Sequence, residues 1–408
     1  MPQPRCIEII RGKLTDTLLS EADLLVDAIF GTGYNGALSD ELQNIADLVN
    51  SSGKPVVSVD IPLGIDGDSA ELVGTPVRAD ITVALTLSKP AHLSYPAREY
   101  MGRITVCDLG LYKDVISDNF RFSYFGTDEV FVKQNIPRRQ RTANKGSFGK
   151  TLHITGSDKY KGAAHLALEA SLRSGVGIVG YLGAVSCELR GKFPEAIYER
   201  VDEECDTASQ ILDISGKYSS VLVGSGSGVS EELYRTVMTL LEHEGGTLIL
   251  DADAINSISA YGDISDLSRA KRQLILTPHP LELSRLSGLE VGYINSHRIR
   301  CTQQIAEKYR ITLLLKGAGT VISNGSITYI NTTGSTALSK GGSGDVLSGL
   351  IASLAAQGTD PTVAAALGAY LHGRAADALS DILSELGVTP SDLPVEIARQ
   401  INLILSQK

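Results

Sequence analysis

Gly341-Gly342-Ser343-Gly344-Asp345 runs without a break into Val346-Leu347-Ser348-Gly349-Leu350-Ile351-Ala352-Ser353-Leu354. A glycine-rich turn feeding an apolar, helix-periodic segment can leave several backbone N–H groups pointing one way. They sit at the positive end of a helix dipole, a place for phosphate or a developing negative charge. Asp345 puts a carboxylate beside that anion hole. The pairing is repulsive in a passive binding site. It makes chemical sense where the carboxylate takes a proton from a hydroxyl while the amides hold a phosphoryl group. The plainer alternative is that Asp345 caps a helix after a flexible loop.

Working back along the chain, short apolar runs alternate with helical segments. Leu24–Phe30, Pro55–Asp60, Ile81–Leu85 and Ile104–Val106 read as strands, with a helix at Leu38–Val49. A second series begins at Lys150–Gly156 and recurs at Gly177–Leu182, Ser220–Val223, Leu248–Leu250, Leu274–Leu276 and Thr312–Leu315. Helices are expected at Ala164–Arg173 and Pro361–Leu383. Val- and Ile-rich strands separated by helices predict α/β architecture, with parallel sheets covered on both faces. The period breaks between Asn119 and Arg141, so we expect a first domain at 1–118, a linker at 119–141 and a second domain at 142–408.

The residues that follow the strands carry the chemistry. Gly156, Gly224, Gly226, Gly228, Asp251, Asp253, His279, Lys316 and Gly317 all fall there, which predicts one ligand cleft along the carboxyl ends of a sheet. Lys316-Gly317-Ala318-Gly319-Thr320 offers a cation and backbone amides to a nucleotide phosphate or ribose, or else a tight bend with a snorkelling lysine. His279 is held between Pro278 and Pro280, with Glu282 three residues on. Asp251 and Asp253 could turn out to a hydroxyl-rich ligand or Mg²⁺, or cap the helix that follows. His153, His165 and His372 lack zinc-ligand spacing. In the first half, Asp27, Gly31, Thr32, Gly33 and Asp60 lie at strand ends.

The totals exclude several classes. The chain has 408 residues and a net charge of −10, which disfavours a nucleic-acid surface. Cys6, Cys107, Cys187, Cys205 and Cys301 are scattered without metal or redox spacing, so reduced thiols in a cytoplasm are expected. No apolar run reaches membrane-spanning length, and Pro2, Pro4, Arg5 and Glu8 do not form a signal peptide.

Taken together, Lys145–Lys150, Asp251–Ala254, Thr277–Pro280, Leu315–Thr320 and Gly341–Asp345 resemble, in order and spacing, the ADP/ATP-dependent NAD(P)H-hydrate dehydratase family of the ribokinase-like fold. Asp27–Gly33 and Ser58–Pro62 resemble the second half of the NAD(P)H-hydrate epimerase domain, which in many bacteria and archaea precedes the dehydratase. The resemblance implies a partial Rossmann-like epimerase domain followed by a ribokinase-like three-layer α/β/α domain. It implies loss of water from the S form of hydrated NADH or NADPH, driven by ADP (or ATP) with Mg²⁺. Asp345 would be the base, with Gly341–Gly344 as the anion hole. Lys316, Gly317, Ala318, Gly319, Thr320 and Gly344 would bind the nucleotide, and Ala163, Gly226, His279 and Asp345 the hydrate. Asp27 would be a potassium (K⁺) ligand, and Gly31, Thr32, Gly33 and Asp60 remnants of the epimerase site. The family often forms tetramers, so a homo-oligomer is expected, without membrane or nucleic-acid partners. Asn144 stands where the family usually has His, Ser335-Thr336 replaces an Asn-Pro-Gly run, and Leu63 replaces a potassium-ligating serine. The early glycine-rich motif of the epimerase is missing. An inactive epimerase half, serving as a docking module or marking a fragment of a longer reading frame, is therefore expected. A ribokinase-like kinase of a small alcohol and a non-catalytic binding protein are the other readings.

Overall fold

Strand after strand in the second half sends alternate side chains to opposite faces, as a pleated backbone must. Val221 and Val223 join one buried cluster while Leu222 joins another. Leu248 and Leu250 part from Ile249 in the same way, and Leu313 and Leu315 from Leu314. A sheet apolar on both faces must be covered on both, and in this computed structural model it is. The structure describes residues 14–34, 36–110, 122–202 and 206–406. Cys6, Cys205 and 119–121 lie outside them. The chain divides into two compact units, Met1–Phe120 and Arg121–Lys408.

The first unit carries β1 (Leu25–Asp27), β2 (Val56–Val59), β3 (Ile81–Leu85) and β4 (Arg103–Cys107), all parallel and paired in chain order. Ser39 caps the helix Asp40–Ser51, which connects β1 to β2. Its Ala46 packs with Val56, Leu63, Val77 and Ala79 in a small core.

The second unit carries β5 (Tyr124–Gly126), β6 (Lys150–Ile154), β7 (Ile178–Tyr181), β8 (Ile197–Tyr198), β9 (Ser220–Val223), β10 (Thr247–Leu250), β11 (Leu274–Leu276), β12 (Thr312–Leu315), β13 (Val321–Ser323) and β14 (Thr328–Ile330). Their order is β5-β14-β13-β12-β11-β10-β9-β6-β7-β8. β13 runs antiparallel to both β12 and β14, and the other pairings are parallel. From β6 the chain builds outward through β7 and β8, then returns to lay β9 on the other side. The β6/β9 boundary is therefore a switch in winding direction, where connections diverge and leave a crevice. One face is covered by helices that include Glu231–Leu241, Asp253–Tyr261 and Arg298–Tyr309. The other is covered by Lys161–Arg173, Ser343–Ala356 and Pro361–Gly387. This is the three-layer α/β/α arrangement.

The stretch read as a linker is partly structural. Tyr124–Gly126 pairs with β14, and Asp128 caps the helix Glu129–Asn135, whose Val132 is fully buried. A three-residue edge strand and a seven-residue helix are too short for a period to show in sequence. The helix expected at Pro361–Leu383 runs on to Gly387, although Ser384 inside it has non-helical angles, and a further helix, Leu393–Ser406, follows it.

The helix that follows the Gly341–Asp345 turn is held by a close approach. A Cβ on Gly349 would lie 2.2 Å from the carbonyl oxygen of Ala167. The hydroxyl of Ser171 donates to the Gly349 carbonyl at 2.6 Å. Gly349→Ala should therefore push the two helices apart and lower stability by about 1–3 kcal/mol in denaturant melts. A variant as stable as wild type would contradict this packing.

Candidate functional site

At the carboxyl end of β10 the backbone turns sharply through Ala252, whose φ is +48°. The turn separates the two acids of Asp251-Ala252-Asp253. Asp251 is 1% exposed and does not face outward. Its Oδ1 accepts from Thr277 Oγ1 at 2.7 Å and from Lys316 Nζ at 2.7 Å, and its Oδ2 accepts from Ser225 Oγ at 3.0 Å. Four strand ends thus meet on one carboxylate: β9 through Ser225, β10, β11 through Thr277, and β12 through Lys316. Asp253 opens the next helix and accepts from the Gly228 amide at 2.8 Å.

Lys316 is anchored rather than snorkelling. Its amide donates to the Pro278 carbonyl at 2.9 Å, and its side chain keeps 20% of its exposure. Burial alone would pull its pKa down, but Asp251, Glu282 and Asp345 outweigh that and leave it raised. The loop that follows rests on Arg298, 5% exposed, whose guanidinium donates to the carbonyls of Leu315 at 3.0 Å and Lys316 at 3.1 Å. Burial lowers the Arg298 pKa to about 10, so it stays cationic at neutral pH. Gly317 and Gly319 take φ values of +137° and +58°, which fits them to backbone conformations that side chains disfavour.

The glycine turn arrives against this ammonium. Gly342 has φ +104° and caps the helix Ser343–Ala356, which places Asp345 in its first turn. A Cβ on Gly344 would lie 3.2 Å from Lys316 Nζ. The Ser343 amide is taken by the Lys340 carbonyl at 3.2 Å, while helix geometry gives the amides of Gly344 and Asp345 no intrahelical acceptor. Ser225 lies against Asp345 as well as Asp251, and bonds Ser348 Oγ at 3.0 Å. Burial first, then repulsion from Asp251, pushes the Asp345 carboxyl up to about 7, although Lys316 pulls the other way. A carboxylate this basic beside a cation and two helix amides can accept a proton at neutral pH while anionic oxygens are held next to it.

The remaining residues form the walls. A Cβ on Gly226 would lie 2.5 Å from Ala163 Cβ, so these two expected site residues adjoin. His279 caps the helix Pro280–Ser287: Nδ1 accepts from the amides of Leu281 and Glu282 at 3.1 and 3.2 Å. Nε2 lies 3.2 Å from Glu282 Oε1, with 43% of the ring side chain exposed. Ser348 and Arg298 escaped the sequence reading, and Ser225 and Thr277 lay inside its motifs without a role of their own. Only their placement after or beneath strands hinted at them.

The first unit has its own polar cluster. Asp27, 5% exposed, accepts from Ser58 Oγ at 3.0 Å and the Leu63 amide at 2.8 Å. Asp60 pairs with Lys89, and its carbonyl bonds His92 Nε2 at 2.7 Å. Gly31 adjoins Asp60, and Thr32 adjoins Gly67. Gly33 has no atom within 4 Å of where its Cβ would be. Leu63 offers a potassium ion no side-chain oxygen: its side chain lies in the apolar core, and its amide donates to Asp27 Oδ2.

The fold and site define a ribokinase-like α/β protein. A family model described as NAD(P)H-hydrate dehydratase matches residues 151–399, and one described as YjeF-related protein N-terminus matches residues 6–91. The bifunctional NAD(P)H-hydrate repair enzyme of Thermofilum pendens is 33% identical over 91% of this chain and 71% of its own length. That of Escherichia coli is 30% identical over 95% and 73%. The ADP/ATP-dependent NAD(P)H-hydrate dehydratase of Bacillus subtilis, co-crystallised with ATP and Mg²⁺, aligns at a TM-score of 0.60 and 29% identity, covering 68% of this chain and 98% of that one. The chain belongs to the NAD(P)H-hydrate dehydratase family and carries an epimerase-type domain ahead of the dehydratase domain.

The raised Asp345 has a thermodynamic consequence. Its folded pKa lies above the unfolded value, so its contribution to stability is fully present below about pH 4 and is lost as pH rises through about 7. Asp345→Asn removes that penalty. It should stabilise the protein at pH 8 by on the order of 2–4 kcal/mol and change little at pH 4, measured by urea melts. Equal effects at both pH values would contradict the assignment.

Proposed function

We propose that the second unit, as a dehydratase domain over 142–408, dehydrates the S form of NAD(P)H hydrate, with ADP in preference to ATP as phosphoryl donor. One observation carries the reading: Asp345, with its raised pKa, shares a helix N-terminus with Gly344 beside Lys316. In this reading Asp345 takes the proton of the hydroxyl on ring carbon 6 as that oxygen attacks the terminal phosphoryl group. The amides of Gly344 and Asp345 hold the phosphoryl oxygens, and Lys316 offsets their charge. The phosphate is then a good leaving group. The C6–O bond breaks as the ring-nitrogen lone pair moves in, and loss of the C5 proton restores the dihydronicotinamide. Lys316–Thr320 hold the nucleotide, and Ala163, Gly226 and His279 line the hydrate's place.

Mg²⁺ fits as an ion carried on the nucleotide. Among the described residues no cluster of three His, Cys, Asp or Glu side chains could form a protein cage, and Mg²⁺ commonly sits on substrate phosphates, neutralising their charge. The first unit, over 1–118, is proposed as a non-catalytic remnant. The burial of Leu63, which offers no side-chain oxygen, supports this.

The test follows the absorbance of reduced nicotinamide. NADH hydrate of the S form, mixed with this protein, Mg²⁺ and ADP, should recover absorbance with release of free phosphate. The R form should recover no faster than it epimerises spontaneously. Asp345→Asn should reduce kcat by about 10³-fold or more. Stable phosphorylated product without recovery would instead establish the kinase reading.

A further inference from the structure

The helix Ser343–Ala356 carries Asp345 in its first turn, and Gln357 caps its other end, about 18 Å further along the axis. Gln357 Nε2 donates to the Ser174 carbonyl at 3.0 Å, which ties that end to the turn between the helix Lys161–Arg173 and β7. Gln357, Ser174 and Gly175 form one wall of a cleft of about 400 Å³, a volume usual for a small-molecule site. Every residue lining it belongs to the second unit, and the length of the helix separates it from the crevice at Asp345.

Two kinds of side chain line the rest. Ile136, Ala398, Ile401 and Leu405 supply an apolar floor, on which Leu405 is left 41% exposed. Arg138, Arg139 and Arg173 supply cations, and no Asp or Glu lines the cleft. Arg235, Arg269, Arg374 and Arg399 of the same unit all pair with carboxylates. Among the described residues no carboxylate pairs with the three arginines of the cleft. Arg138 and Arg139 each give an N–H to a backbone carbonyl, of Lys133 and of Gly175. The Arg139 guanidinium is further held over the Phe148 ring, 4.2 Å from its centroid. Three like charges gathered without a counter-charge repel one another, in a chain whose net charge of −10 leaves acids to spare. An anion relieves that repulsion, and an apolar body on the anion covers the floor.

We propose that this cleft binds one organic anion, a carboxylate or phosphate on a short apolar body, with its head on the three arginines and its body on Ile136, Ile401 and Leu405. Guanidinium groups bond such heads through paired, charge-assisted N–H donors. An inorganic anion leaves the floor wet, and a neutral hydrocarbon leaves the cations unpaired. A second copy of this chain is a poorer occupant, because in a two-fold contact the patch meets itself, arginine against arginine. The site does not depend on the dehydratase reading.

Calorimetric titration of the full chain at pH 7 tests this, with octanoate and octyl phosphate as probes and octanol and inorganic phosphate as controls. At least one of the two organic anions should bind saturably, one per chain, and the tighter one names the head group. Octanol and inorganic phosphate should each bind about tenfold more weakly or not at all. Arg138→Gln with Arg173→Gln, and separately Leu405→Asp, should each weaken the anion by about tenfold or more. Both changes fall on exposed side chains, so the fold tolerates them. Saturating ADP and Mg²⁺ should leave the affinity within about twofold, as the distance from Asp345 requires. No saturable binding of either anion below about 5 mM would overturn the proposal. So would binding that either variant leaves unchanged, octanol binding as tightly as octanoate, or competitive displacement by ADP. Dimerisation that Leu405→Asp abolishes would give the face to a second copy and would overturn it too. Anion binding by protein that fails to turn over NADH hydrate would refute the dehydratase reading alone and leave this site standing.

Discussion

The site depends on one lysine shared among carboxylates that outnumber it. Lys316 bonds Asp251 directly and lies within the electrostatic reach of Asp345 and Glu282. A buried ion pair of this kind is poor evidence for stability, because desolvating two charges offsets much of their attraction. Its effect here is electrostatic arrangement. Asp251 is saturated by Thr277, Ser225 and Lys316, and so stays fixed. Asp345 receives what remains of the lysine's field and bears the repulsion of Asp251. Two carboxylates a short way apart are thereby given different tasks, one holding and one titrating.

The fold makes this arrangement cheap to build. At the switch between β6 and β9 the connections diverge, so the carboxyl ends of the strands open onto a crevice. Ser225, Asp251, Thr277 and Lys316 each follow a strand that is buried along its whole length. The helix Ser343–Ala356 lies across that edge, held at Gly349 by backbone approach to Ala167. Its first turn is thus brought to Lys316 by helix packing, and its free amides by the helix geometry itself.

Much of this was legible in the sequence, and the reasons are specific. Strands at Ile81–Leu85, Ser220–Val223, Leu274–Leu276 and Thr312–Leu315 have the expected bounds, because continuous β-branched or leucine runs have few alternatives. The glycines and polar residues at their ends marked the cleft. Tyr124–Gly126 and Glu129–Asn135 were not legible, since an edge strand and a short helix take their stability from neighbours far away in sequence. Nor did the spacing of Asp251 and Asp253 reveal that one is buried under Lys316 while the other opens a helix and accepts from the Gly228 amide; the φ of Ala252 separates them.

The most direct test of the account is a titration of Asp345 itself. Infrared difference spectra of the protein without nucleotide, compared with those of Asp345→Asn, isolate the stretching band of its protonated carboxyl. The account predicts a band present at pH 5, absent from the variant, and lost with a midpoint near 7 as pH rises. An Asp345-dependent band that disappears at about pH 4, the ordinary aspartate value, would contradict it.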